Sequence, residues 1–178
     1  MVEKANIHPG MKVLEPSAGN AMIAEELRRT GAEVDCVEIS DALRHILEAK
    51  GFSLIARDFL EFTTGGYDRI VMNPPFSQGQ DAIHVRHAYS LLKPGGRLVA
   101  IMGESMFSRS DRQATEFREW LASCQGTHEP LPAGTFTDKT LLATTGVNAR
   151  EVILNKPLMN IEIDGHRSCF PPLHQSAA

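Results

Sequence analysis

The sequence predicts an α/β fold: a doubly wound, mostly parallel sheet of seven strands with an antiparallel last strand. Three observations carry this. Short apolar runs alternate with segments of helical spacing as far as Cys124, the loops between them are short, and after Cys124 two strand-like runs follow one another without a helix. Strand–helix alternation with short loops gives parallel strands joined by right-handed crossovers. Two strands joined by a loop instead require one of them to run antiparallel, at or near the sheet edge.

The elements follow in order. "KVLEP" (Lys12 to Pro16) is an apolar run that stops at a proline, and the segment before it is too short for a full upstream helix. In "NAMIAEELRRTG" (Asn20 to Gly31), Met22, Ile23, Glu26 and Leu27 have helical spacing, and Gly31 stands where a helix ends. "AEVDCVEI" (Ala32 to Ile39) is the second strand, after which Ser40 is placed to cap the helix "DALRHILEAKG". "FSLIARD" and "YDRIVM" are strands three and four. "DAIHVRHAYSLLKPGG" is an amphipathic helix closed by Pro94 and two glycines, "RLVAIMG" the fifth strand and "RQATEFREWLASC" a further helix. "HEPLPAG" and "VNAREVILNK" complete the sheet, and "NIEIDG" has strand character in a polar, proline-bearing tail expected to be partly disordered.

A chain of 178 residues fits one domain with a full hydrophobic core. No apolar run approaches the length that spans a membrane, and the opening "MVEKANIHPG" lacks the basic-then-apolar pattern of a signal peptide. Cys36, Cys124 and Cys169 are scattered and odd in number, which reads as reduced thiols in a cytoplasmic protein. The seven histidines show no ligand spacing, so no metal site is expected. With a net charge of −4 the chain has no global basic field, and any contact with nucleic acid rests on a local patch.

In a doubly wound sheet ligands bind outside the carboxyl ends of the strands, at the point where the strand order reverses. Strand one runs into "EPSAGNA", Glu15 to Ala21, whose small residues let the backbone approach a ligand beside a helix N-terminus. Strand two ends at Glu38 and Ile39, where an acidic side chain accepts from ribose hydroxyls or lies solvated near the next helix cap. Strand three ends in "RDF". Asp58 there suits an adenine amino group or a simple turn cap, and Phe59 suits packing on the ring. Taken together in chain order, Glu15, Pro16, Ser17, Ala18, Gly19, Glu38, Ile39, Asp58 and Phe59 point to an adenosine-containing cofactor. Glu15 opposes a pyrophosphate and suits a cationic group, which favours S-adenosylmethionine over a dinucleotide.

Strand four runs into "NPPF". Residues before proline are driven to extended geometry, and neither proline has an N–H. The result is a stiff tip presenting the Asn73 side chain, the Pro74 carbonyl, Pro75 and then the Phe76 ring. "VLEPSAGNA", Glu38, "RDF" and "NPPF", in this order, resemble the class I S-adenosylmethionine-dependent methyltransferases with their Rossmann-like sheet. Within these, the chain is similar to the amino-methylating branch typified by adenine-N6 DNA methyltransferases, over about residues 7 to 156. "LPAGTF" and "TGVNAREVILNKP" look like the last strand region of that branch. The family usually has glycine where this chain has Ala21. The resemblance implies a catalytic domain over residues 1–157 and a C-terminal extension over 158–178. It also implies a site in which Asn73 and Pro74 accept from the two hydrogens of an exocyclic –NH₂, making nitrogen a better nucleophile. Asn73 would border the cofactor too, while Phe76 and Phe136 take the faces of a planar substrate.

The motif does not name the amino group. Relatives that carry it methylate adenine N6 in DNA or RNA, guanine N2 in ribosomal RNA, or a glutamine side-chain amide. The chain resembles a bare catalytic domain of the phage or mobile-element kind. Arg109 and Arg112, after strand five, are placed either to meet phosphates or to lie in a solvated loop and helix start, and Lys139 is placed near a polynucleotide backbone. The expectation is adenine N6 in DNA, slightly ahead of RNA, with target recognition supplied by a partner subunit. A cofactor-binding subunit without activity of its own is the contrasting reading.

Overall fold

A computed structural model describes residues 1–132 and 148–158. The elements run α1 (Val2–Ala5), β1 (Lys12–Glu15), α2 (Met22–Arg29), β2 (Glu33–Val37), α3 (Asp41–Ala49), β3 (Ser53–Ala56), β4 (Tyr67–Met72), α4 (Gln80–Leu91), β5 (Leu92–Gly103), α5 (Ser105–Ser108), α6 (Arg112–Ser123), β6 (Thr127–Pro130) and β7 (Ala149–Asn155). The seven strands stand in the order β3-β2-β1-β4-β5-β7-β6. β1 to β5 are parallel, and β7 lies antiparallel between β5 and β6. The expected fold is the observed one. The loop-joined final pair explains its one reversal: β7 inserts beside β5 and leaves β6 as the outer strand.

Side-chain alternation along the central strands builds two cores, one on each face. Leu14, Ile70, Met72, Leu98, Ala100, Met102, Val152 and Leu154 enter the core covered by α4, α5 and α6. Val13, Val71 and Val99 point the other way, toward Ala5 of α1 and Leu27 of α2, with Ile153 packed alongside. Strands covered on both faces read as near-continuous apolar runs, which is why β4 and β5 are so visible in the sequence. The upstream helix is present as the single turn α1, held by Arg69 and Arg97, whose side chains donate to Ala5 O and Lys4 O at 2.7 and 2.9 Å.

Several boundaries differ from the expected ones. α4 stops at Leu91, five residues before Gly96, because Leu92 pairs with Tyr67 of β4 and the chain re-enters the sheet through a register shift. The strand expected from His128 to Gly134 spans Thr127–Pro130; residues 133 and 134 lie outside the described residues, as does "NIEIDG". The turn α5, capped by amides donating to Glu104 O, was not expected.

The turn that feeds α4 passes through two left-handed residues, Gln78 at φ 55° and Gly79 at φ 70°. At Gly79 a side chain would also collide with the Gln113 amide, whose Nε2 donates to Gly79 O at 3.3 Å. Gly51, at φ 73°, has open space around it. A left-handed non-glycine residue costs about 1–2 kcal/mol, worth roughly 2–4 °C per kcal/mol in a chain of this length. Gly79→Ala is therefore expected to lower Tm by several degrees and by more than Gly51→Ala. Equal shifts in thermal unfolding would show that α6 does not constrain this turn.

Candidate functional site

The strand order reverses between β1 and β4. From β1 the chain winds outward through β2 and β3, and then returns to the other side of β1 as β4. With Val13 opposite Arg69 and Leu14 opposite Ile70, the segments after Glu15 and after Met72 leave the sheet as neighbours. This is the place where a doubly wound sheet ordinarily opens a ligand crevice, and Glu15 to Gly19 and Asn73 to Phe76 are the two loops that leave the sheet there.

The first loop is stitched to the end of β2. Ala18 N donates to Val37 O at 3.1 Å, and Gly19 N donates to Glu38 Oε2 at 2.8 Å. Glu38 Oε1 accepts from Ser40 N at 2.8 Å, so the carboxylate is oriented from both sides, and each oxygen keeps a lone pair. Pro16 and Ala18 are buried and Ser17 is half-buried. Glu15 is 1% exposed, and its Oε2 has no hydrogen-bond partner. Burial pushes its carboxyl well above the usual carboxylate range; a backbone hydrogen bond from Ala24 opposes this and the neighbouring Glu38 adds to it. Ala21 takes the position where the family has glycine and adopts φ 73°. Its methyl is fully buried in a small cluster with Ala18, Ala24, Cys36, Leu47 and Phe52. The burial of about 0.8 kcal/mol offsets part of the left-handed strain.

At the ends of β2 and β3, Arg44 donates from Nη1 to Glu38 O at 3.0 Å and to Ala56 O at 2.7 Å, tying the two strand ends together. Ile39 is 65% exposed beside them. Asp58 Oδ1 accepts from Leu60 N at 2.8 Å, the turn-capping alternative in the sequence reading. Phe59 is placed differently from expectation. Its ring is buried, edge-on to His87 with centroids 4.8 Å apart and 5.5 Å from His84. The β3–β4 connection has no helix, and Phe59 is drawn into the core against α4 to cover the sheet there.

In the second loop Pro74 is buried and Pro75 exposed. The Asn73 Oδ1 atom is buried and has no hydrogen-bond partner. Phe76 packs in a small cluster with Ile101, Ala149 and Leu131, across the lip of β5 and the start of β7. Arg109 follows α5 with its Nε 2.6 Å from Asp111 Oδ2, close enough to the crevice for its charge to act on Asp81 at the start of α4. Arg112 is 90% exposed and pairs with Glu116 one turn along α6 at 2.6 Å. That matches the solvated helix start weighed against phosphate contact. Phe136 and Lys139 lie outside the described residues.

Arg44 was missed by the sequence reading. Its signal is weak, a basic residue one turn into a helix that follows an acidic strand end. The buried, unpaired oxygen of Glu15 and the oriented carboxylate of Glu38, beside a small-residue loop, fit the ammonium and ribose hydroxyls of S-adenosylmethionine. The same pair would repel a pyrophosphate.

Comparison with known proteins bears on the fold and the family. The chain is 35% identical over 105 residues to the ribosomal RNA small subunit methyltransferase C of Chromohalobacter salexigens, a match covering 52% of this chain and 31% of that protein. It thus spans about a third of that relative's length. Among solved structures it resembles TrmN from Thermus thermophilus, with a TM-score of 0.61 and 22% identity over 87% of this chain and 46% of that one. It also resembles the T. thermophilus 16S rRNA N2 G1207 methyltransferase RsmC, solved with AdoMet and guanosine, with a TM-score of 0.59 and 22% identity over 88% of this chain and 38% of that one. Identities at this level speak for the fold. Residues 3–138 match the family described as methyltransferase domain, and the chain belongs to that family.

Proposed function

We propose that the chain transfers a methyl group from S-adenosylmethionine to an exocyclic amino group of a nucleobase in nucleic acid, with residues 1–157 as the catalytic domain. The observation that carries this reading is the Asn73 Oδ1 atom, buried and without a partner at the switch point of the sheet. A buried acceptor left unmade costs about 1–3 kcal/mol, and an amino group entering the crevice supplies the missing donor.

In this reading Asn73 Oδ1 and the Pro74 carbonyl accept from the two hydrogens of the substrate –NH₂. The nitrogen lone pair is then withdrawn from the ring system and aimed into the crevice, and the acceptors disperse the positive charge that grows on nitrogen. Phe76 stacks on the base. Glu15 holds the donor's ammonium and Glu38 its ribose, while Pro16, Ser17, Ala18 and Gly19 line its path and Ile39 and Asp58 border its adenine. When bound, S-adenosylmethionine supplies an activated methyl on a sulfonium. Arg109, Arg112 and Lys139 meet the polynucleotide and Phe136 takes the second face of the base; a base within a duplex would have to be turned out of its stack.

The expectation of adenine N6 in DNA rested on "LPAGTF" and the closing strand. The likeness over 105 residues to a ribosomal RNA small subunit methyltransferase favours RNA instead. Tritiated methyl transfer to ribosomal RNA, transfer RNA, DNA and a protein extract, followed by digestion to nucleosides, tests both. Label in N2-methylguanosine or N6-methyladenosine supports the proposal, whereas label confined to protein, or none, overturns it.

Asn73→Ala is expected to slow transfer by about 10²–10³-fold while the donor's Kd, measured by calorimetry, changes by less than about threefold. Wild-type turnover in this variant would remove Asn73 from the reaction. Glu38→Ala should instead raise that Kd at least about tenfold, since about 1.4 kcal/mol of binding corresponds to a factor of ten.

Glu15 gives a pH-dependent test. Its folded carboxyl titrates above the 4.5 of an ordinary glutamate, so the folded chain binds a proton that the unfolded chain has released. Stability from this group therefore falls as pH rises from about 4.5 toward the raised folded value. Glu15→Gln should raise Tm at about pH 8 by a few degrees and weaken donor binding. A lower Tm at that pH would mean that the charge is compensated within the protein.

A further inference from the structure

We propose that Asp81 is a positioning residue for the Asn73–Phe76 loop: its carboxylate clamps the start of α4 to the lip of β5 and so fixes where the loop's acceptors stand. The inference rests on the function proposed above, because it concerns the geometry of that same site.

Asp81 is 0% exposed, although it sits in the first turn of a helix where acidic residues are ordinarily solvated. Oδ2 accepts from Gly103 N at 3.0 Å, and Oδ1 accepts from Ala82 N at 3.0 Å. Gly103 is the last residue of β5, opposite Ala149 of β7. It is also where Phe76 arrives. A methyl built on Gly103 would stand 3.5 Å from Phe76 Cβ and 3.6 Å from Asp81 Oδ2, so the three residues converge on one point. Phe76 follows the two prolines, and displacement of this residue moves the rigid segment that presents Asn73 and Pro74.

Burial raises the Asp81 carboxyl, opposed by backbone hydrogen bonds from Gly103, Ala82 and its own amide and by the more distant charge of Arg109. No lysine, arginine or histidine forms an ion pair with it among the described residues. A buried charge held by backbone amides costs more than a neutral capping group would, and stability alone gives no reason for it. A charged acceptor does give the shorter, more directional bonds that a fixed geometry needs. The clamp acts beside a second restraint at the exit of the loop, where Gln113 Nε2 donates to Gly79 O at 3.3 Å and the chain turns through left-handed Gln78 and Gly79.

The test compares Asp81→Asn and Asp81→Ala with the parent chain, well below the lowest melting temperature of the three. It reads amide hydrogen exchange, calorimetric S-adenosylmethionine binding, and steady-state methyl transfer to ribosomal RNA. Exchange at Gly103 and across Phe76 to Ala82 is expected to quicken at least about tenfold, with the rest of the sheet unchanged. The kcat of Asp81→Ala is expected to fall about 10²-fold, the loss that an ångström-scale misplacement produces, while KM and the donor's Kd stay within about threefold. Asp81→Asn keeps the shape and one acceptor oxygen, and should lie between. Parent-like exchange in the loop overturns the proposal, and so does a kcat loss matched by an equal weakening of donor binding, which would mark a general loosening of the fold. Should the parent chain methylate nothing, the reading of the function fails, and the exchange arm still decides the clamp.

Discussion

The site depends on the removal of two backbone donors. An asparagine at the end of a strand ordinarily satisfies its own side chain, with Oδ1 accepting from an amide one or two residues on in an Asx turn. At Asn73 the next two residues are Pro74 and Pro75, and neither has an amide hydrogen to give. The neighbouring parallel strands use their amides on one another. The side-chain oxygen is therefore buried and left unmade. Asp58, at the end of β3, shows the contrast: nothing blocks its local donors, and its Oδ1 takes Leu60 N at 2.8 Å. Proline thus acts twice, stiffening the loop and keeping its acceptor free.

The same economy explains the charge distribution around the crevice. Glu15 is buried at the carboxyl end of β1 with an unmade oxygen, while Glu38 is fully oriented by two backbone amides. Burial raises the cost of ionising Glu15, and the Glu38 carboxyl at the neighbouring strand end adds to it. A ligand that brings positive charge relieves this cost and one that brings phosphate worsens it. The sheet selects the sign of its ligand before any shape is considered. The acidic balance of the whole chain, −4, supplies no general attraction for a polynucleotide.

The order of strands and helices was legible because periodicity reports burial, and here every central strand is covered on both faces. Strand-end loops were legible because glycine, proline and small residues mark where the backbone must turn. What was hidden depended on long-range packing. The end of α4 at Leu91 is set by pairing with Tyr67, across the whole helix, and not by Pro94 or the glycines. Phe59 was read as a ring for a ligand because it follows a strand end; the missing helix between β3 and β4 pulls it into the core against His84 and His87. At Ala21, where the family has glycine, sequence alone does not say whether the position needs smallness or a left-handed backbone, and its φ of 73° answers that it is left-handed. Arg44 and Asp81 carry little local signal, since each reaches a backbone group on another element.

The hidden Arg44 and Asp81 share one role with Glu38. Arg44 ties the ends of β2 and β3, Glu38 ties β2 to the loop after β1, and Asp81 ties α4 to the end of β5. Each uses a charged side chain on a backbone group at the carboxyl edge of the sheet. Strand ends are where ladder hydrogen bonds stop and where chain entropy is recovered most readily. A crevice built there needs its lips fixed by something other than the sheet, and side-chain-to-backbone bonds do this without closing the opening. Apolar packing at the same edge would fill the space that a ligand must enter. Buried charge at the lip, costly in free energy, is the form of restraint that leaves the crevice open.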